Sequence, residues 1–437
     1  MKKSGTEAER REYRRKRKQR SQALAYILLF MMVIAMSIGV VAGVKVIAGK
    51  SPTKDVSQES SQEMIQSLLG SEEAIEAPEE TESVPELTAE EKLDLFIDEK
   101  IEQMPLDEKV AGLFFVTPES ITGVNTAVKA GDGTKTALEK YAVGGLIYFK
   151  KNIQSKEQIA EMISNSQNYS KYPLFIGVDE EGGSVNRVAD AGLVQKQPSA
   201  AEIGSSGDAN NAYQAGVAIG TYLSELGFNV NFAPVADLAN VTDSVMKNRA
   251  YGSDAATVAP FVTSMITGLQ EKGVTACLKH FPGIGSTTAD THNGLASTSR
   301  TAEEFRSQEF EVFKAGIEAG VQMIMVGHVN VPALDDDNNP ASMSKAVITD
   351  MLRGELGYDG VIITDALNMS AISQYYSSEQ AAIMALKAGC DMLLMPEDFL
   401  QAYAGVVAAV ADGTISEQRV NDSLKRIYRI KYADAVK

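Results

Sequence analysis

GVIITDALNM, residues 360–369, is an apolar run without alternation that ends on a carboxylate, Asp365. An unbroken apolar run reads as a strand buried on both faces, the condition of a parallel sheet covered by helices. Seven further runs share the character: KVAGLFFV (109–116), VGGLIYF (143–149), PLFIGVDEE (173–181), VNFAPVADL (230–238), TACLKHFPG (275–283), VQMIMVGHVNV (321–331) and CDMLLMPED (390–398). Between them lie amphipathic segments, Ser155–Ser170, Ala209–Leu226, Ala256–Lys272, Thr301–Ala319 and Ser344–Leu356. Eight βα units predict an α/β fold of the (β/α)8, TIM-type barrel class. A doubly wound open sheet would carry a glycine-rich phosphate loop after its first strand, and KVAGLFFVTPES has none.

Polar residues recur at or just beyond the carboxyl ends of these runs: Asp179, Asp237, Lys279, His280, His328 and Asp365. Each alone reads as a helix cap or a satisfied core residue. Together they read as one functional face, because the carboxyl ends of barrel strands share a rim.

Outside the predicted barrel, 88–437, the chain changes character. Residues 1–20 carry ten Lys/Arg and three Glu, and an uncharged apolar run of 22 residues follows, 23–44. That pattern predicts a basic cytoplasmic tail (1–22), a transmembrane anchor (23–44) in the lipid bilayer and, by the positive-inside rule, an extracytoplasmic remainder at the cell membrane. A cleaved signal peptide is the alternative, although its apolar core is only about 7–15 residues long. Residues 45–87, with SEEAIEAPEETESVPE at 71–86, cannot bury enough apolar surface to order themselves and are expected to be a solvated acidic linker.

The composition excludes several function classes. A net charge of -17 disfavours nucleic acid as a partner. Two cysteines, Cys277 and Cys390, each inside an apolar run, exclude a disulfide framework, and three histidines without HxH or HxxxH spacing give no metal site. No cofactor is implied.

LKHFPGIGSTTADTHNGL, residues 278–295, leads from a buried strand into a Gly/Ser/Thr loop that carries Asp290 and His292 two apart. On an extended segment such side chains share a side. A carboxylate bonded to one imidazole nitrogen makes the other a proton donor and acceptor near neutral pH. A loop-stabilising hydrogen bond is the plainer reading of the spacing alone. Lys279, near a strand end, also leaves open a Schiff-base lysine of the aldolase type.

The loop, with MPLDEKVAGLFFV (104–116), VGGLIYFKKNI (143–153), GVDEEGGSVNRV (177–188), NFAPVADL (231–238), NRAYGSD (248–254), GHVNVPALD (327–335) and GYDGVIITDALNM (357–369), resembles the β-N-acetylglucosaminidase branch of glycoside hydrolase family 3, the bacterial cell-wall recycling type. The blocks run in family order from about residue 95 to 430. The resemblance implies a retaining double displacement on terminal N-acetylglucosamine of a β-linked glycan or muropeptide, in peptidoglycan turnover. By it, Asp365 matches the nucleophile, His292 the acid/base and Asp290 its partner. Asp179, Arg187, Arg249, Lys279 and His280 match the residues that hold the sugar. Asp237 is read as a cap or brace of the rim, and His328 as a pocket-lining or packing residue. Where the family commonly reads KHFPGHGD, this chain has Ile284 and Ser286, and Thr291 stands between Asp290 and His292. The chain ends at Lys437 soon after a predicted helix, Ser416–Tyr432, which suggests the single-barrel form. A β-glucosidase or β-xylosidase, a glycosyl phosphorylase and an inactive wall-binding module stay open as alternatives.

Overall fold

The structure is a computed structural model that describes residues 87–289, 294–337 and 339–435. The predicted tail, anchor and linker lie outside the described residues except for Leu87, and so do Asp290 and His292. Among the described residues no helix is long and apolar enough to cross a membrane.

Eight strands form one parallel sheet: β1 (Phe114–Val116), β2 (Gly145–Ile147), β3 (Phe175–Val178), β4 (Val230–Asn231), β5 (Thr275–Phe281), β6 (Met323–Val326), β7 (Val361–Thr364) and β8 (Leu393–Leu394). Each of β1 to β6 pairs with its successor, and β8 pairs with β1. A parallel bridge between Ile363 and Met392, with the Thr364 N–H donating to the Met392 carbonyl at 3.1 Å, joins β7 to β8 and closes the ring. Every residue of these strands is buried, as the unbroken apolar runs require. The strands are shorter than the runs, because each run continues into the loop above it.

Inside the barrel large side chains face glycines. Phe115 packs edge-on to Phe232 with ring centroids 5.3 Å apart. A Cβ on Gly177 would sit 2.6 Å from Phe115, and one on Gly145 2.9 Å from it. The two glycines therefore make room for the ring, the large-against-small filling that a closed barrel needs.

The helices follow the predicted segments with local departures. Lys156–Tyr169 starts at the Ser155 cap, Asn210–Glu225 and Glu417–Lys431 fall within a residue of expectation, and Ala255–Gln270 begins one residue early behind the Asp254 cap. The segment predicted as one helix at 301–319 is two, Ala302–Ser307 and Glu309–Glu318, broken at Gln308. The break turns buried Glu309 toward Arg300, whose guanidinium donates to both its oxygens at 2.8 Å, while the Gln308 amide oxygen accepts from Ala255 N–H. Ala346–Glu355 is wound as a π-helix. At the amino ends of the strands, buried Asp391 accepts from Arg353, from Ser423 at 2.7 Å and from the Ile362 N–H at 3.0 Å, tying β7 to the last helix. Cys277 and Cys390 are buried, and burial pushes both thiols up.

Candidate active site

The carboxyl ends of the strands surround a cavity of about 470 Å³. β3 delivers Asp179 and then a short antiparallel hairpin, Glu180–Gly182 with Val185–Asn186, which carries Glu181 and leads to Arg187. Arg249 comes from the connection after β4. β5 contributes both Lys279 and His280, adjacent residues that would alternate faces in a regular strand. Here the pairing of β5 with β6 shifts register between Lys279 and Phe281, and both side chains line the cavity. Asp365 follows β7 directly.

The cations and carboxylates form one cluster. Lys279 Nζ lies 3.1 Å from Asp179 and 2.7 Å from Glu181. Arg249 grips Glu181 with both arms, at 2.6 and 2.8 Å, and Arg187 reaches Asp179 at 3.3 Å. Burial pushes the Glu181 carboxyl up, but Lys279 and Arg249 outweigh it and hold the group below the usual carboxylate range. Lys279 is the mirror case: burial lowers it, and Glu181 and Asp179 raise it above its ordinary value. It therefore stays a protonated ammonium, unfit as a Schiff-base nucleophile, and the aldolase reading falls.

Asp365 is lowered too, because the charges of His280, His328 and Lys279 and the Ala366 N–H, donating at 2.7 Å, outweigh its burial. Its carboxylate is ionised at neutral pH. His280 Nδ1 meets Asp237 at 2.7 Å, and the second Asp237 oxygen accepts the Ile284 N–H at 2.7 Å. Asp237 thus braces the rim, fixing a pocket histidine and the start of the 284–289 loop. His328 is fully buried and packs: Nε2 donates to the Ala366 carbonyl at 2.9 Å, leaving Nδ1 to face the Ser342 hydroxyl at 2.8 Å.

The model of the family described as "Glycosyl hydrolase family 3 N terminal domain" matches residues 96–430, a span that holds the whole barrel and every residue of this cluster. The chain belongs to glycosyl hydrolase family 3. Among curated relatives it is 32% identical over 323 residues to "Beta-hexosaminidase A" of Pseudoalteromonas piscicida, covering 67% of this chain and 54% of that protein. It is 37% identical over 270 residues to a "Beta-hexosaminidase" of Nitrosomonas eutropha, covering 60% and 76%. Among solved structures, a family 3 β-N-acetylglucosaminidase from Paenibacillus sp. str. FPU-7 superimposes with a TM-score of 0.70 at 35% identity, covering 76% of this chain and 63% of that one. The chain thus spans less than two thirds of the Pseudoalteromonas and Paenibacillus proteins.

Of the sugar-holding residues expected from the family blocks, Asp179, Arg187, Arg249, Lys279 and His280 all line the cavity, together with Asp365. The Asp290–His292 pair lies outside the described residues. At the divergent loop positions, Ile284 lines the cavity and Ser286 shares a 2.7 Å hydrogen bond with Thr298. The family reading left out two glutamates. Glu181 is the common counterion of Lys279 and Arg249. Buried Glu180 accepts the N–H groups of Arg187, Val188 and Ala189 at 2.6, 2.9 and 2.9 Å and the Tyr222 hydroxyl at 3.0 Å, fixing the segment that bears Arg187. The signal available was the run Asp-Glu-Glu at a strand end, three carboxylates where one would cap a helix.

Proposed function

We propose that this chain is a retaining exo-β-N-acetylglucosaminidase that removes terminal N-acetylglucosamine from β-linked glycans, peptidoglycan fragments foremost. The observation that carries the reading is the ionised Asp365 at the end of β7, in a cavity whose walls hold Asp179, Arg187, Arg249 and Lys279 in one ion-paired frame. Such a frame offers charge-assisted hydrogen bonds to sugar hydroxyls and an acetamido group. The names of the hexosaminidase relatives support the choice of sugar.

In the proposed reaction Asp365 attacks the anomeric carbon while His292, oriented by Asp290, gives its proton to the departing oxygen as the glycosidic bond breaks. The product is a glycosyl ester of Asp365. His292 then takes a proton from water as that water attacks the same carbon, and the Asp365–sugar bond breaks with net retention. The basic tail and the apolar run at 23–44 support an anchored, extracytoplasmic site of action.

The test is release of p-nitrophenol from p-nitrophenyl N-acetyl-β-glucosaminide by wild type, Asp365→Ala and His292→Ala, with the glucoside as control and NMR detection of the first-formed anomer. Turnover that needs both residues and the acetamido group, with the β-anomer formed first, is expected. Equal turnover of the glucoside would move the assignment to a β-glucosidase. No turnover of this substrate or of muropeptides would leave an inactive wall-binding module.

A further inference from the structure

Among the described residues three glutamates are buried, Glu180, Glu181 and Glu309. The first two serve the cavity, whereas Glu309 does not line it. A carboxylate taken out of water costs folding free energy unless it is paired and hydrogen-bonded, so its use is read from its partners.

Glu309 opens the helix Glu309–Glu318, and three segments converge on it. From the connection after β4, the Asn240 amide donates to it at 3.2 Å. Arg300 donates through Nε at 3.0 Å to one oxygen and through Nη2 at 2.8 Å to each. From the end of β5, Gly283, at φ 130°, approaches so closely that a Cβ on it would stand 2.6 Å from Glu309 Cγ.

Gly283 and Arg300 bracket the stretch 284–299, in which the sequence carries Asp290 and His292. On the entry side Ile284 is bonded to Asp237, and the Ser244 hydroxyl donates to the Gly285 carbonyl at 2.7 Å. Gly285 packs so tightly that a Cβ on it would lie 1.9 Å from the Leu238 carbonyl oxygen. On the exit side the Arg300 N–H donates to the Thr298 hydroxyl at 3.2 Å, and the Thr298 N–H to the Asn330 carbonyl at 3.1 Å. The hydrogen bond between Ser286 and Thr298, twelve positions apart, draws the two flanks together. One carboxylate thus touches both ends of the stretch and, through Asn240, the connection that supplies Asp237. We propose that Glu309 is a positioning residue for the proton transfer to the departing oxygen, acting through Arg300 and Gly283 on the two ends of the stretch that bears the acid/base. The inference rests on the hydrolytic reading above and adds to it a residue outside the cavity that sets the alignment of the proton donor.

The experiment measures kcat/KM of the full chain on two substrates, since that constant reports the steps up to the Asp365 ester. One is 2,4-dinitrophenyl N-acetyl-β-glucosaminide, whose leaving group departs as a stable anion without a proton. The other is N,N′-diacetylchitobiose, whose leaving sugar needs one. In Glu309→Gln the chitobiose value should fall about tenfold to a hundredfold and the dinitrophenyl value less than about threefold, because a misplaced donor matters only where a proton is transferred. The ratio of the two, taken on one sample, is independent of how much of the protein is folded. Arg300→Lys keeps a charge beside Glu309 and gives up the paired grip, so it should move the ratio the same way by a smaller factor, and it serves where Glu309→Gln does not fold. Equal losses on both substrates, or no loss on either, make Glu309 a structural residue alone and overturn the inference while the hydrolase stands. Failure of the wild type to cleave either substrate removes the hydrolase and this inference together.

Discussion

Replacing Glu181 by Gln keeps the shape of the site and removes one charge. That carboxylate receives contacts at 2.6 and 2.8 Å from Arg249 and 2.7 Å from Lys279, and the residue is only 8% exposed. Without it, Lys279 and Arg187 are left sharing Asp179, and Arg249 has no ion-pair partner among the described residues. Breaking a buried pair by deleting one partner costs about 3–5 kcal/mol, because the other charge stays in place without compensation. In a folded unit of this size a kilocalorie lowers Tm by roughly 1.4 °C, so thermal unfolding should fall by about 4–7 °C at neutral pH. The sign of its pH dependence follows from the lowered carboxyl: the stabilisation is full above the unfolded Glu value of about 4.3 and is lost as pH falls through the lower folded value. The Tm gap between wild type and variant should therefore close in acid. Lys279 also loses the strongest charge that raises it, so KM should climb at a lower pH than in wild type as the ammonium deprotonates. Adding Arg249→Gln should restore part of the stability, since it removes the stranded cation. Calorimetry and a pH series of KM test all of this. A Tm within about 1 °C of wild type and an unchanged alkaline KM limb would refute the assignment of Glu181 as the common counterion.

Asp365→Asn should lower kcat/KM at least about a thousandfold and also lower Tm at neutral pH, since a lowered carboxyl stabilises the folded chain there, and in wild type the acid limb from this carboxyl should fall below the ordinary Asp value of about 3.9, read from a pH–rate profile. Asp237→Ala strands the His280 ring nitrogen and the Ile284 N–H, a loss of about 2–3 kcal/mol in chemical denaturation, with kcat/KM falling alongside. Lys431 is lowered by burial to about 7, with the Gly144 carbonyl at 2.6 Å and the faces of Phe175 and Tyr428 around it. Between that value and about 10.4 the unfolded chain binds the extra proton, so this group makes stability rise with pH across the window. Lys431→Met should flatten that slope in a pH series of unfolding midpoints.

The number of strands was legible because each lies buried on both faces and so appears as an unbroken apolar run. The starts of two helices were legible from Ser155 and Ser416 at the heads of their segments, whereas Ala255–Gln270 begins one residue ahead of the expected bound, behind the Asp254 cap. The break at Gln308 was not, since it depends on Arg300 and Ala255 taking up Glu309 and Gln308 from outside the helix. Asp365, Lys279 and Asp179 were legible as polar residues at strand ends, where burial makes their presence informative.

By itself the sequence determined the strand periodicity, the rim on which the polar side chains gather and the family blocks that carry them. Which charge answers which was settled only by tertiary structure. Glu181 and Lys279 are 98 positions apart, Glu181 and Arg249 68, and His280 and Asp237 43, distances over which no local pattern constrains a pairing. Closing the barrel places those groups within hydrogen-bond reach in a cavity of low dielectric, and there their interaction, rather than their individual propensities, sets both protonation state and position.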